Sequence, residues 1–224
     1  MRSTGPLEHQ TAPTALRRPQ QARSRDTLHR IVRATRELLQ SKTFDDISVT
    51  EITRKARSSV GSFYSRFPDK AALLDYLDEQ YAHEVIAEGA RLSDPNRFVG
   101  ADLAQRVRLV VTFMLELHVR QPGLLRTLIV EARRKPGGRF GERTRRMNAT
   151  IPTLMHRLLE CREEIGHPEP ERAVYLGLLL VFSAIREITL FPEALAEFVD
   201  YEHEELVGEL CDAYLAYLRA KPSK

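Results

Sequence analysis

Residues 48–74 read SVTEITRKARSSVGSFYSRFPDKAALL. Ser48 followed three residues later by Glu51 is a capping-box signature, in which the hydroxyl accepts the N3 amide and the carboxylate reaches back to the cap amide. A helix therefore starts at Ser48, and Val49, Ile52 and Ala56 give it an apolar stripe about two turns long. Ser58 and Ser59 interrupt it. A serine hydroxyl satisfies the orphan amides of a helix start, so Ser59 reads as a second N-cap. The second helix, 60–67, turns Phe63 and Phe67 inward, four apart, and exposes Val60, Ser62, Tyr64 and Arg66. A short helix following a capped one across a tight turn reads as a helix-turn-helix whose second member enters a DNA major groove. Gly61 costs such a helix up to about 1 kcal/mol relative to alanine, so some surface, either a phosphate backbone or a packed helix, must come close. Pro68 ends the element and Asp69 caps the next. Lys70, in that helix's first turn, opposes the helix dipole, and an anion outside the protein would account for it.

Charge supports the same reading outward from this stretch. The 224-residue chain carries a net charge of +3, but residues 17–70 hold 13 Lys/Arg against 6 Asp/Glu, so the remainder is net acidic. A basic head on an acidic body is the distribution expected when only the head meets nucleic acid, although a basic run can also be a solvated face. Residues 1–22 mix Pro6, Pro13 and Pro19 with Ser, Thr and Gln and read as a disordered tail. The tail's basic end, Arg17, Arg18, Arg23 and Arg25, either follows phosphates into a minor groove or solubilises the chain. Ser24 opens a helix to about residue 40 with Leu28, Ile31, Val32, Leu38 and Leu39 inside and Arg30, Arg33 and Arg36 outside. Phe44 and Ile47 bridge to Ser48 and close a three-helix head over 23–71.

These residues resemble the one-component bacterial regulators of the tetracycline-repressor (TetR/AcrR) type. The shared pattern is Ser48, Val49, Ile52, Ala56, Ser59, Gly61, Phe63, Tyr64, Phe67, Lys70, Leu73 and Leu74. Two positions depart: Arg57 replaces the usual turn glycine and Ser58 the usual valine. An arginine there must either enter the left-handed region or change the turn. The resemblance implies that Val60, Gly61 and Ser62 face bases with Thr50 near the groove edge. It places Ser48, Ser59, Tyr64, Arg66 and Lys70 on phosphates of double-stranded DNA. It also implies a cytoplasmic homodimer on a palindrome, usually a repressor, released by a small-molecule effector.

The rest of the chain is helical by pattern. Helices are expected from Asp69 to about Ala90, over 102–120 and 122–134, over 142–165 with a kink or a fresh start capped by Thr150 at Pro152, and over 171–190 and 193–219. Residues 135–141, KPGGRFG, read as a loop. The fold class is all-α with about nine helices: a head, a long connecting helix, and an effector-binding and dimerisation domain over 72–220. Val174–Ile185 is apolar nearly all round, which requires burial on more than one side. The final helix carries two apolar stripes. By resemblance these two helices pair across a two-fold, with Leu176, Leu180, Leu206, Leu210, Tyr214 and Tyr217 at the interface. Phe113, Leu117, Met155, Tyr175 and Phe182 are either core or the lining of an apolar effector cavity. Arg186 or His118 would be its polar handle, with Glu187 or Glu131 as the partner of Arg186 if it is buried.

Several classes are disfavoured. Cys161 and Cys211 stand in no disulfide or zinc spacing and fit a reducing cytoplasm. The N-terminus has no apolar targeting stretch, and the apolar run Ala173–Ile185 is shorter than a bilayer span, so a soluble protein with no membrane partner is expected. Glu164 and His167 have the Glu-x-x-His spacing of helical di-iron sites, but only one copy exists and Pro168 ends its helix. No paired nucleophile and base and no glycine-rich phosphate loop is visible, so no catalytic activity, metal or cofactor is expected. Two alternatives remain beside the effector-controlled regulator: a DNA-binding regulator governed by a protein partner, and a helical metalloenzyme.

Overall fold

The computed structural model describes residues 20–134, 137–194 and 201–220, with residues 20–23 and 194 described by backbone alone. The described residues form α1 (Gln20–Leu38), α2 (Val49–Lys55), α3 (Val60–Tyr64), α4 (Lys70–Leu92), α5 (Leu103–Arg120), α6 (Pro122–Arg134), α7 (Arg139–Met147), α8 (Ile151–Leu159), α9 (Pro170–Leu190) and α10 (His203–Arg219). Four short 3-10 helices fill breaks between them, and no strand occurs among the described residues. The all-α fold class holds. Helix α1 begins at Gln20 rather than Ser24, so the expected disordered tail lies, over 1–19, outside the described residues.

Local chemistry explains the head. Ser48 accepts the Glu51 amide and Ser59 accepts the Ser62 amide, which starts α2 and α3 where their hydroxyls stand. The expected return bond from Glu51 is replaced: its carboxylate takes Lys42 at 2.7 Å. That hydrogen bond first, with the charges of Lys42 and Arg54, holds the carboxyl below the usual range. Helix α3 is only five residues long, yet the chain continues to turn, with the Phe67 amide donating to Phe63 at 3.0 Å, so both phenylalanines are buried.

The turn between α2 and α3 keeps its shape despite lacking glycine. Arg57 takes a left-handed φ of 49°. The Ser58 amide donates to Thr53 and the Arg57 amide to Arg54, the two bonds of a Schellman ending. Arginine therefore bears the strain that glycine would avoid.

Asp69 accepts the Ala72 amide at 2.7 Å and starts α4, which runs 23 residues. Its first half belongs to the head core, where Leu73 and Leu77 pack with Ile31, Ile52 and Phe63. The same cluster takes in Leu124, Leu125 and Leu128 of α6 and Leu190 of α9, so the head does not end at residue 71 as a separate core. Gly123 makes this junction possible, because a Cβ there would fall 1.8 Å from the Leu39 carbonyl oxygen. A second core joins α5, α8, α9 and α10 around Val110, Leu115, Leu158, Val181 and Ile185.

Two expectations change in the body, and at Pro152 the fresh start is found without its expected Thr150 cap. Helix α7 starts at Arg139, inside the expected loop, and none of its residues is buried. Arginines hold it instead: Arg139 pairs with Asp75 and Arg143 with Asp78 and Glu79 on α4. The stretch 142–165 is two helices because Pro152 cannot donate within one. Pro152 sits in the first turn of α8, and Thr150 stands at the cap position but makes no cap bond, donating to Met147 instead. Helix α10 begins at His203 rather than 193, with residues 195–200 outside the described set. Helix α9 is long and apolar enough to cross a membrane by length and composition alone, but one face is embedded against the other helices of the second core.

Candidate nucleic-acid interface and effector cavity

The head presents α3 outward. Val60 is 41% and Tyr64 52% exposed, an unusual placing for large apolar side chains in a small helix, while Phe63 between them is fully buried. Ser48, Thr50, Ser59 and Gly61 are also exposed and Ser62 is half-buried. The Ser59 hydroxyl donates to the Ser62 hydroxyl at 2.9 Å, leaving oxygen lone pairs on the outer face. A Cβ on Gly61 would meet nothing nearer than the Ser59 hydroxyl at 3.9 Å, so no packed helix demands the glycine.

Two expected phosphate contacts are otherwise engaged. Lys70 does not wait for an outside anion: its ammonium donates to the carbonyl oxygens of Phe44 at 2.7 Å, Asp45 at 3.2 Å and Ile47 at 2.9 Å. Those three bonds use all its protons. They satisfy carbonyls of an irregular linker, where only the Phe44 oxygen also accepts a backbone amide, that of Ile47 at 3.3 Å, and the ammonium also lies 4.7 Å over the Phe44 ring. Arg66 ties the end of α3 to the Ser62 carbonyl at 2.6 Å and to the Ser24 carbonyl and hydroxyl of α1. Sequence reasoning missed Arg54 and Arg57, both exposed at the end of α2 and in the turn. Among the described residues neither side chain makes a hydrogen bond or ion pair. Their charge was the available signal.

The expected dimer residues divide. Leu176 and Leu180 of α9 are 37% and 57% exposed, and Tyr175 and Leu179 beside them extend an uncovered apolar face. Leu206 and Tyr214 belong instead to the chain's own second core, at 5% and 2% exposure, which corrects their assignment to the partner-facing surface. Tyr214 is drawn in because Gly177 leaves room for its ring. Leu210 and Tyr217 are half-buried against the same core.

A cavity of about 230 Å³ opens between α4, α5, α8, α9 and the α7–α8 break. Phe113, Leu117, His118, Tyr175 and Phe182 line it together. Met155 does not, because it packs on the second core. Arg186 does not line it either, since its guanidinium pairs with Glu187 at 3.4 Å on its own helix and lies 5.9 Å over the Phe182 ring. Glu131, the other candidate partner, pairs with Arg134. Met147, Asn148 and Thr150 also reach the cavity, and nothing in their sequence pattern marked them. His118 is 4% exposed, with Nδ1 2.7 Å from the Met114 carbonyl oxygen and Nε2 buried without a partner. Burial first, opposed by the Met114 bond and aided by the Arg186 charge, pulls its pKa below the usual histidine value. A larger open groove of about 860 Å³ on α4 and α5 is charged, and Arg120–Glu88 and Arg108–Glu204 pairs occupy it.

Glu164 and His167 do not converge on a metal position. Glu164 accepts the Leu103 amide at 3.1 Å and His167 accepts the Glu169 amide at 3.1 Å. Among the described residues no group of three or more His, Cys, Asp or Glu could hold a metal ion.

Residues 31–77 match the family described as bacterial regulatory proteins, tetR family. The chain is 25% identical over 195 residues to the nucleoid occlusion factor SlmA of Vibrio atlanticus, covering 85% of this chain and 93% of that protein. Among solved structures, a bacterial regulatory protein in the tetR family from Rhodococcus RHA1 superposes with a TM-score of 0.64 at 16% identity, covering 88% of this chain and 98% of that one. A transcriptional regulator from Rhodococcus sp. Rha1 gives 0.62 at 22% identity, covering 87% and 98%. These two structures share the fold.

Proposed function

We propose a working cycle from one premise: the chain belongs to the tetR family of bacterial regulatory proteins and is a DNA-binding transcriptional regulator. Two copies bind a palindromic operator and repress transcription, and a small molecule in the 230 Å³ cavity releases them. The observation that carries this reading is the outward α3, where Val60 and Tyr64 are exposed around a glycine that no internal packing requires. Val60, Gly61 and Ser62 face base edges and Thr50 the groove rim. A valine suits a thymine methyl, and hydroxyls suit either base edges or phosphate oxygens. Ser48, Ser59 and Tyr64 take phosphates, joined by Arg54 and Arg57. Lys70 and Arg66 act indirectly, by holding the linker and α1 against the reading helix.

The exposed Tyr175, Leu176, Leu179 and Leu180 on α9 support a second copy as the cover for that face. A two-fold pair sets two short reading helices about 34–36 Å apart, one helical turn of DNA. The head, 23–71, reads the operator. The remainder, 72–220, senses and dimerises, and the core shared by α4, α6 and the head couples them.

Selection of bound duplexes from a genomic DNA pool, with light scattering of the free and bound protein, tests the cycle. A palindrome bound by two copies is expected. A monomer, or indifference to sequence at every salt concentration, overturns it. The second reading, DNA binding without a small-molecule effector, draws on the likeness to a nucleoid occlusion factor along 85% of the chain. Against it stands a cavity with an unpartnered buried histidine nitrogen.

A further inference from the structure

The lining of the cavity restricts what it can hold, given the effector reading above on which this inference rests. No charged side chain lines it among the described residues. A ligand charge placed there would lose its hydration with no charged group in the wall to replace it, since the nearby Arg186 lies outside the lining and is already paired with Glu187. That loss is costly, so the occupant is neutral. His118 adds a second restriction. The Met114 carbonyl at 2.7 Å from Nδ1 can only accept, so the ring proton sits on Nδ1, and the depressed pKa keeps the ring neutral. Nε2 is then a bare lone pair, buried and unpaired. A buried acceptor without a donor is a standing deficit that an occupant can relieve. The third restriction is size. A cavity of about 150 Å³ lined by apolar side chains holds benzene, so 230 Å³ suits one ring with short substituents. Phe182 meets the His118 ring edge-on with centroids 5.2 Å apart, and with Phe113 it provides aromatic wall.

We infer that the cavity binds a neutral phenol-class molecule, a small apolar ring bearing one hydroxyl, whose O–H donates to Nε2 of His118. Apolar walls supply the affinity and the histidine the selectivity, because an ether, hydrocarbon or carboxylate of the same size cannot make that bond.

Calorimetric titration of the full-length protein with 4-ethylphenol, 4-ethylanisole, ethylbenzene and 4-ethylbenzoate tests it. The phenol is expected to bind at least tenfold tighter than the other three. His118→Phe should erase that preference while ethylbenzene still binds. His118→Gln, which keeps an acceptor, should retain part of it. Should His118→Phe fail to fold, the ¹⁵N shift of Nε2 in the unaltered protein must still move on adding the phenol and stay put with ethylbenzene. Equal binding of phenol and ether, best binding by the carboxylate, no binding of any probe, or selectivity that survives His118→Phe each overturns the inference. Operator release, followed by fluorescence anisotropy, separates the two levels. Selective phenol binding that leaves the operator bound counts against the effector reading alone, whereas release by a charged or donor-free probe counts against the phenol alone.

Discussion

The Tyr214 ring closes over Gly177 so tightly that a Cβ at residue 177 would lie 1.9 Å from its Cε2 atom. The hydroxyl then donates to the Val174 carbonyl oxygen at 2.7 Å, so α9 and α10 are locked by one side chain seated in one gap. Gly177→Ala must separate the two helices. Overpacking of this kind costs about 1–3 kcal/mol, and a melting curve should show the loss. Gly61→Ala is the control, because its Cβ enters open space. It should raise stability by up to about 1 kcal/mol while weakening operator binding. Loss of stability at 61 would place the need for that glycine inside the protein.

Arg57 pays for a left-handed backbone with no compensating contact of its own. Relief of that conformation is worth about 1–2 kcal/mol, less the added chain entropy of glycine. Arg57→Gly should therefore raise the unfolding free energy by about 1 kcal/mol in urea titration. A decrease would mean that the arginine stabilises the turn of the free protein by more than its left-handed backbone costs.

Much of the head was legible because its signals are local. Ser59 and Asp69 name their own helix starts, and Phe63 and Phe67 name the inner face, since each depends on residues three or four apart. Lys70 and Glu51 misled for the same reason. Their partners, the Phe44–Ile47 carbonyls and Lys42, come from a linker whose path no local pattern reveals. The cavity was legible where it is built from helical stripes, at Phe113, Leu117, His118 and Phe182. It was not legible at Asn148 and Thr150, which reach it only because the chain breaks before Pro152. Tyr214 looked like an interface residue since a stripe cannot say which neighbour it serves; Gly177, 37 residues earlier, decided it.

Burial holds the His118 pKa below the ordinary value of 6.5. The unfolded chain therefore takes up this proton first as pH falls. The associated stability is fully present above about pH 6.5 and is lost as pH drops from there toward the lowered folded value. Unfolding free energies between pH 7.5 and 5, compared for the unaltered chain and His118→Phe, isolate this group from other titrations. The difference should shrink in favour of the variant toward acid. A difference that does not vary with pH would show that the ring is not kept neutral by its site.

Asp78 is 2% exposed and Arg143 of α7 is its partner. Burial raises the Asp78 pKa despite that arginine, which marks the site as poorly solvated. Removing one partner of a buried pair costs roughly 3–5 kcal/mol, so Arg143→Ala should lower the melting temperature sharply and expose α7 to proteolysis. The double change Arg143→Leu with Asp78→Leu should recover most of the loss. Similar losses in the single and double variants would mean that the arginine's packing, rather than its charge, holds α7.

At the DNA surface, substitutions should sort by what each side chain can touch. Val60→Ala and Ser62→Ala remove groups that face base edges, where a lost contact is worth about 1–3 kcal/mol at one base pair. Their binding profiles across operator variants should flatten at one symmetric position per half-site. Tyr64→Phe deletes a hydroxyl on an exposed ring, so binding should weaken alike for every sequence, with the salt dependence unchanged because no charge is lost. Arg54→Ala should also weaken every sequence alike, but with a shallower salt slope by about one ion per protomer. Lys70→Met belongs to neither group: with the Asp45 and Ile47 carbonyls stripped of their donor and the Phe44 oxygen keeping only the Ile47 amide, its first effect should be a lower melting temperature. Affinity should then fall only as far as the head loosens, and the salt slope should stay where it was. A slope that drops with Lys70→Met at unchanged stability would show that the lysine leaves its carbonyls for a phosphate when DNA binds, and the linker would then move with it.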